Sequence, residues 1–492
     1  MVYFLTFLLF LPTIFAIGLL FLKKGFKIYG YIAATIELAL ALFLYFKYDV
    51  SIAGMQFMEQ YNIVSQYGVN YSIGVDGISL FLVIITTLIT LMGVYFLEDD
   101  EDLKISLALL LVLETIFLGV FLSLNAAIFY IFWELMLFPL FFSFKSWNSK
   151  RAVVSFFFSY FISSILLLVS FGVIAYIFYK QSSIISFSII HWYALIINPP
   201  ISLALFGALV VAFLLKVPFI PFFSWVKVAF YNSSLTGSLL LISVMIMVAF
   251  YAILRVAFPI FPDGVESFLI PIAIFSSIIL LYLSFAIFKE KNFKNIIFYK
   301  SIFYPALIIL YLFLVDKTLI NISLLLFFPY ISSIGIDFFL LKKVDEKLNS
   351  YKIENRYFLA KFMPRFLLLF LINSFVYFLI PLLFFIDANY IDFNALSKET
   401  LLVIFSGFFA LVLFIGVIKF VISIFFRKKE GKVEFTFKDL TSKELIVPLV
   451  VIITIFLASF NFNYFQKPIQ KSSSALVDFM HKKIKSVKSQ VR

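Results

Sequence analysis

Three ionisable residues, Glu114, Glu134 and Lys216, sit inside long apolar runs of this sequence. A charge at bilayer depth costs several kcal/mol unless it is paired or hydrated, so each asks for a function. Glu114 lies 11 residues before Asn125 and Glu134 lies 9 residues after it. A chain that turns at Asn125 rises about 1.5 Å per residue, which puts both carboxylates roughly 14–16 Å below the turn. Two carboxylates at one depth repel each other's charge unless a cation intervenes. Lys216, near the middle of its own run, can be that cation. Pro218 and Pro221 follow it and break the helix, because proline lacks the amide donor. Broken backbone at membrane depth lines a polar or wet cavity. A carboxylate and an ammonium around such a cavity can pass a proton by exchanging pairing partners. The alternative is a fixed ion pair that only sets helix register.

Other deep charges are weaker candidates. Lys419 lies within about 12 Å of the basic end marked by Arg427, so a proton role and snorkelling both remain open for it. Lys300 also lies near a helix end and reads as a snorkelling side chain. Glu37 fits either class. His191 and His481 read as ordinary surface residues.

The elements that must hold these residues follow from composition. The chain has 492 residues, 63% hydrophobic and 13% charged, with 70 Phe. Ordinary globular proteins carry about 45–50% apolar and about 25% charged residues, so the bilayer is the solvent for most of this chain. Apolar runs of about 20 residues mark spanning helices. Fourteen are expected, near 2–22, 28–46, 78–97, 104–122, 126–144, 152–179, 201–224, 235–258, 267–288, 295–315, 318–341, 362–386, 401–426 and 444–465. The first lacks a basic leader and a small-residue cleavage site, so it reads as a span and not as a signal peptide. The expected fold class is therefore an all-α polytopic membrane protein. Residues 1–492 form one membrane domain, with spans over about 2–465 and a basic amphipathic tail over 466–492.

Orientation follows from the excess of Lys and Arg in alternate loops. With the N-terminus outside, the opposite loops hold only Lys47, Lys180, Arg255, Lys317 and Lys398. The net charge of +12 is thus a cytoplasmic loop bias and not a nucleic-acid surface. The basic tail after the last span resists this topology, and its apolar spacing suits a helix resting on a membrane surface. The acidic stretch Glu98 to Asp102 suits a short cytoplasmic turn or a partner contact. The absence of Cys removes disulfides, thiolate zinc sites and Cys-ligated iron–sulfur clusters. Two His leave no bis-His haem, and no Gly-rich phosphate loop occurs. The expectation is a chain with no redox cofactor, no metal and no nucleotide hydrolysis of its own.

Short motifs at these positions resemble the antiporter-like subunits of respiratory complex I. Tyr71-Ser72-Ile73-Gly74-Val75-Asp76-Gly77-Ile78-Ser79-Leu80 resembles the opening of their third helix. Leu113-Glu114 to Gly119-Val120-Phe121 resembles the fourth. Phe132-Trp133-Glu134-Leu135-Met136-Leu137-Phe138-Pro139 resembles the fifth, in the form of the M type (chain 4). Lys216-Val217-Pro218-Phe219-Ile220-Pro221 with Trp225 is similar to the broken seventh helix and its lysine. Asp439-Leu440-Thr441-Ser442-Lys443-Glu444 and Phe465-Gln466-Lys467-Pro468 resemble the final helix and its exit. The resemblance covers the whole chain.

The pattern is also broken in places. Met247 stands where the resemblance implies a central lysine, and Phe230 and Tyr304 stand at histidine positions. The twelfth span carries no acid between Pro364 and Pro381. The entry half of a proton path looks kept, and an outward route is then either discontinuous or runs out through the thirteenth span near Lys419. The resemblance implies a proton-translocating membrane-arm subunit of a complex I-type NADH–quinone oxidoreductase, working through Glu134, Lys216 and Glu114. Electrons would be carried by other subunits, and the partners would be L-like and N-like neighbours and the lipid bilayer. The location would be a bacterial or mitochondrial inner membrane. Two rivals are a subunit of a multi-subunit cation/proton antiporter or membrane-bound hydrogenase, and a non-pumping structural subunit.

Overall fold

The computed structural model describes residues 3–97, 102–142, 150–216, 245–348, 363–388, 390, 398–426 and 439–491. Among them, 11 helices are long and apolar enough to cross a membrane. Three shorter apolar helices, Ala126–Phe142, Pro199–Leu214 and Met245–Ile260, accompany them. Together they match the fourteen expected runs one to one.

The chain divides into two compact units, Met1–Leu269 with Lys467–Arg492, and Ile270–Gln466. The first unit opens with α1 (Phe4–Phe21) and α2 (Phe26–Lys47), followed by strands β1 (Gln56–Val64) and β2 (Val69–Val75). Then come α3 (Gly77–Phe96), α4 (Leu103–Leu122), α5 (Ala126–Leu135), α6 (Leu137–Phe142), α7 (Lys150–Ser182), α8 (Ile189–Trp192) and α9 (Pro199–Leu214). The shorter helix α10 (Met245–Ile260) leads into α11 (Pro262–Ala286), which runs from the first unit into the second. The second unit continues with α12 (Phe293–Phe313), α13 (Lys317–Leu325), α14 (Phe327–Leu348), α15 (Pro364–Asp387), α16 (Lys398–Val421), α17 (Ser442–Ser459) and α18 (Phe462–Phe465). The terminal helix α19 (Lys467–Val491) belongs to the first unit.

The antiparallel hairpin β1–β2 was not expected. Its strands are too polar and too short to register as a span, and Gly68, at φ +65°, turns the chain between them. Buried Glu59 on β1 accepts hydrogen bonds from Leu5 N at 2.7 Å and Thr6 N at 3.1 Å. A carboxylate at a helix N-terminus satisfies amides that have no intrahelical partner and complements the helix dipole. The hairpin thereby fixes the start of α1.

Two of the quoted motifs are helix caps. Asp76 accepts from Ser79 N at 2.9 Å and the Ser79 hydroxyl accepts from Asp76 N at 2.9 Å, a reciprocal capping box at the head of α3. Thr441 and Glu444 cap α17 in the same way. Asp439 accepts from Arg365 N at 2.8 Å and Phe366 N at 3.2 Å, so it caps α15 as well.

The tail helix α19 is amphipathic and packs on its own chain. Gly77 N donates to Ser472 Oγ at 3.0 Å. Lys483 Nζ donates to Tyr193 O at 2.9 Å, Pro259 O at 3.1 Å and Ile260 O at 2.9 Å. The last two are carbonyls at the C-terminus of α10, where a cation meets the negative end of the helix. The tail helix thus lies beside the N-terminus of α3 and the segment leading into the hairpin.

Gly77 is required by close approach. A Cβ there would stand 1.7 Å from Pro468 O, a backbone atom that cannot rotate away. Gly77→Ala should therefore loosen α19 from the first unit. Trypsin should remove the tail about tenfold faster, equivalent to about 1.4 kcal/mol. Unchanged cleavage in the variant would show that this contact does not anchor the tail.

Candidate functional site

Glu134 sits one residue before the end of α5, and the helix is interrupted at Met136 before α6 begins. Pro139 accounts for the interruption, because it has no amide to donate to the carbonyl four residues earlier. Lys216 sits just past the last residue of α9, Leu214, in a turn where Lys216 N donates to Phe213 O at 3.3 Å. The interruption after α5 and the turn that follows α9 thus bring the two residues together. Residues 217–244, which hold Pro218, Pro221, Trp225 and Phe230, lie outside the described residues.

Lys216 Nζ stands 3.6 Å from Glu134 Oε1. That is an ion-pair distance longer than a hydrogen bond. The ammonium instead donates to Trp133 O at 3.2 Å, a carbonyl in the last turn of α5, where helical carbonyls have no intrahelical donor. It also lies 4.7 Å from the ring centroids of both Trp133 and Tyr160, a cation–π cage that compensates part of its lost hydration. The other oxygen of Glu134 accepts a short hydrogen bond from the Ser164 hydroxyl on α7. Ser163, its neighbour, donates to Ala212 O at 2.7 Å and ties α7 to α9. Lys216 is 1% exposed and Glu134 28%, so the carboxylate is the member of the pair reachable from outside the chain. Trp133, Tyr160 and Ser164 were not singled out from sequence.

Glu114 is buried on α4, and its acidic neighbour is Glu37 of α2, with Thr90 of α3 beside it. Gly30 of α2 lies against Leu107 of α4 and Val94 of α3. Glu37 and Glu114 each come seven residues after those contacts, two turns along their helices. The expected neighbour of Glu114 at one depth was Glu134, whereas the acid found beside it is Glu37. Lys419 is exposed on α16 and donates to Phe288 O at 3.4 Å, 5.5 Å from the Phe288 ring centroid.

Among the described residues two further buried ion pairs were missed. Arg255, counted as an outer-loop cation, is buried in a π-helical turn of α10, with its Nη2 2.7 Å from Asp76 Oδ2. Its Nε donates to the Tyr251 hydroxyl at 3.1 Å, and that hydroxyl donates to Phe121 O at 2.7 Å. The pair borders a cavity of about 530 Å³ lined by Met58, Tyr193 and Phe479 among others. Lys300, read as a snorkelling residue, is fully buried and paired with Asp337 of α14. A helix-end position exposes a lysine only where no acidic group is packed against it. Asp337 lies 37 positions away, so α12 alone gives no sign of it. Among the described residues no group of three His, Cys, Asp or Glu comes together to hold a metal ion.

Residues 123–418 match the family described as NADH:quinone oxidoreductase/Mrp antiporter, TM. NADH-quinone oxidoreductase subunit M of Rickettsia prowazekii is 31% identical over 309 residues, 60% of this chain and 62% of that relative. F(420)H(2) dehydrogenase subunit M of Methanosarcina mazei is 30% identical over 318 residues, 62% of this chain and 63% of that relative. The matched stretch is thus less than two thirds of each relative. A chain of respiratory complex I from Thermus thermophilus superposes with a TM-score of 0.79 at 20% identity, covering 97% of this chain and 99% of that one. At that identity the likeness is one of fold.

Removing one partner of a buried pair leaves the other charge uncompensated. Glu134→Ala should destabilise the protein by about 3 kcal/mol, the low end for such pairs because Glu134 is partly exposed. The double variant Glu134→Leu with Lys216→Met should recover most of that loss. Thermal denaturation of the detergent-solubilised protein measures both. A double variant less stable than the single would show that the pair does not hold these helices together.

Proposed function

The chain belongs to the NADH:quinone oxidoreductase/Mrp antiporter family, and from that premise we propose that it is a proton-translocating membrane-arm subunit of a complex I-type oxidoreductase. The observation that carries the proposal is the Glu134–Lys216 pair, held between the interrupted end of α5 and the turn after α9. Oxidation of NADH and reduction of quinone take place on other subunits. L-like and N-like chains are its neighbours in an energy-transducing membrane. This chain supplies vectorial proton movement.

The geometry suits that task step by step. Glu134, the more accessible partner, takes up a proton and loses its negative charge. The attraction that steadied the Lys216 ammonium then falls, and lysine can release its own proton inward. Glu134 hands its proton on to the neutral amine, and both groups return to their starting charges. One proton has entered and one has left. The Ser164 hydroxyl, both donor and acceptor, orients Glu134 through the cycle. The Trp133 and Tyr160 rings steady the ammonium at either end of the cycle, when it carries its charge.

The test uses the purified assembly containing this chain, reconstituted in vesicles, with a pH-sensitive dye reporting proton transfer driven by turnover. Glu134→Gln keeps shape and hydrogen bonding but cannot carry a proton. Removal of a positioned acid–base group slows a transfer step on the order of 10²-fold or more, so the share of proton transfer carried by this chain should be lost. Copurification of the remaining subunits checks assembly. Undiminished proton transfer in the assembled variant would overturn the proposal. Copurification without flavin and iron–sulfur subunits would favour a cation/proton antiporter instead.

A further inference from the structure

The Lys300–Asp337 pair of the second unit has no part in the cycle above. Both residues are 0% exposed, and Lys300 Nζ lies 2.5 Å from Asp337 Oδ2. Helix α15 supports both members. Asn373 Nδ2 donates to Asp337 Oδ1 at 2.9 Å, and Lys300 Nζ donates to Ser374 Oγ at 3.3 Å. The Phe370 and Tyr377 rings stand 5.4 and 4.9 Å from the ammonium.

A line of hydroxyls leads away from the pair. The Tyr377 hydroxyl donates to Lys300 O at 2.6 Å, and Tyr304, one turn on, donates to Tyr377 O. Tyr304 stacks on Tyr330 at a centroid distance of 5.6 Å and meets Tyr377 at 4.3 Å. Two turns further, the Tyr311 and Ser406 hydroxyls are hydrogen-bonded at 2.6 Å. Lys300, Tyr304 and Tyr311 fall on one stripe of α12 that spans about 16 Å at helical rise. All of them are buried.

A buried ion pair is an expensive way to join two helices. Apolar residues of similar volume do so at equal or better stability, so a pair kept at this depth asks for another use. Building on the function proposed above, we propose that Lys300 and Asp337 form a second proton-carrying site, which feeds the hydroxyl stripe of α12.

The step balances as follows. Asp337 takes a proton from the inner side, leaving a neutral acid beside the Lys300 ammonium. Lys300 gives a proton to Ser374 Oγ, the hydroxyl it already donates to, and becomes a neutral amine as a proton leaves the far end of the stripe at Tyr311 and Ser406. The proton on Asp337 then crosses to Lys300, which restores the ammonium–carboxylate pair. Tyrosine hydroxyls that donate to carbonyls keep lone pairs to accept, so each can take up a proton and pass one on to a water that bridges it to the next hydroxyl. The position of Lys300, seven residues into α12, sets the site toward the inner end of that helix and the stripe toward its outer end.

Two variants test the proposal in the same reconstituted assembly. Lys300→Met with Asp337→Leu removes both charges together and leaves neither orphaned. Lys300→Arg keeps the ion pair, but a guanidinium does not give up its proton at working pH. Each should lose turnover-driven proton transfer to the same extent as Glu134→Gln. A merely structural pair would leave transfer intact in Lys300→Arg and in the assembled double variant, and wild-type transfer in either would overturn the inference. If Glu134→Gln loses transfer while the Lys300 variants keep it, only the second site falls. If Glu134→Gln also keeps it, the function proposed for the chain fails first.

Discussion

A charge placed among apolar helices is stabilised by a counterion inside the fold, and among the described residues three buried matches of this kind organise the helices. Asp76–Arg255 joins the head of α3 to α10, Glu134–Lys216 joins α5 to the turn after α9, and Lys300–Asp337 joins α12 to α14. Each pair links helices distant in sequence, so it selects one packing register over its neighbours. The cost of breaking a pair, about 3–5 kcal/mol, is comparable to the whole net stability of a small domain. The surrounding hydroxyls, amides and rings are the means by which the fold tolerates these charges. Ser164 serves Glu134, Asn373 serves Asp337, and Tyr251 serves Arg255.

Helix ends do a second part of this work. The last turn of an α-helix leaves carbonyls without donors, and a buried ammonium supplies up to three donors. Lys216 uses the end of α5 in this way, and Lys483 uses the end of α10. One of these contacts builds the candidate site and the other fastens α19. The interruption between α5 and α6 has a local cost in backbone hydrogen bonds, and the lysine partly offsets it. A break in a spanning helix and a buried cation are therefore complementary needs, which explains why they coincide at Lys216.

The helices were legible because a run of about 20 apolar residues has few alternatives. Glu134 and Lys216 were legible for the converse reason, since each is an exception inside such a run. The structure brings those two together and sets Glu114 beside Glu37. What sequence concealed were relations between distant positions. Lys300 resembled a snorkelling residue until Asp337, on another helix, was found against it. Asp76 was visible only as part of a motif, and Arg255 only as a loop cation, because neither states its partner. The hairpin was hidden by its brevity, although Gly68 between two alternating stretches was its available signal. Trp133 and Tyr160 are aromatic residues among many, and nothing in their spacing separates a cation cage from ordinary core.

The three pairs differ in what they can do with a proton. Arg255 cannot release one, so Asp76–Arg255 is a fixed clasp whatever happens around it. In Glu134–Lys216 the separation of 3.6 Å means that neither partner is committed to the other. The lysine holds a carbonyl and the carboxylate holds a hydroxyl, and each can change partner without tearing a strong bond. In Lys300–Asp337 the contact of 2.5 Å places the two heavy atoms where a proton moves between them with little displacement. A loose pair suits capture and exchange at an accessible entrance, and a tight pair suits transfer in a dry interior. The exposure of the carboxylates follows the same division, 28% for Glu134 and 0% for Asp337. The separations within the pairs thus match the tasks that their surroundings allow.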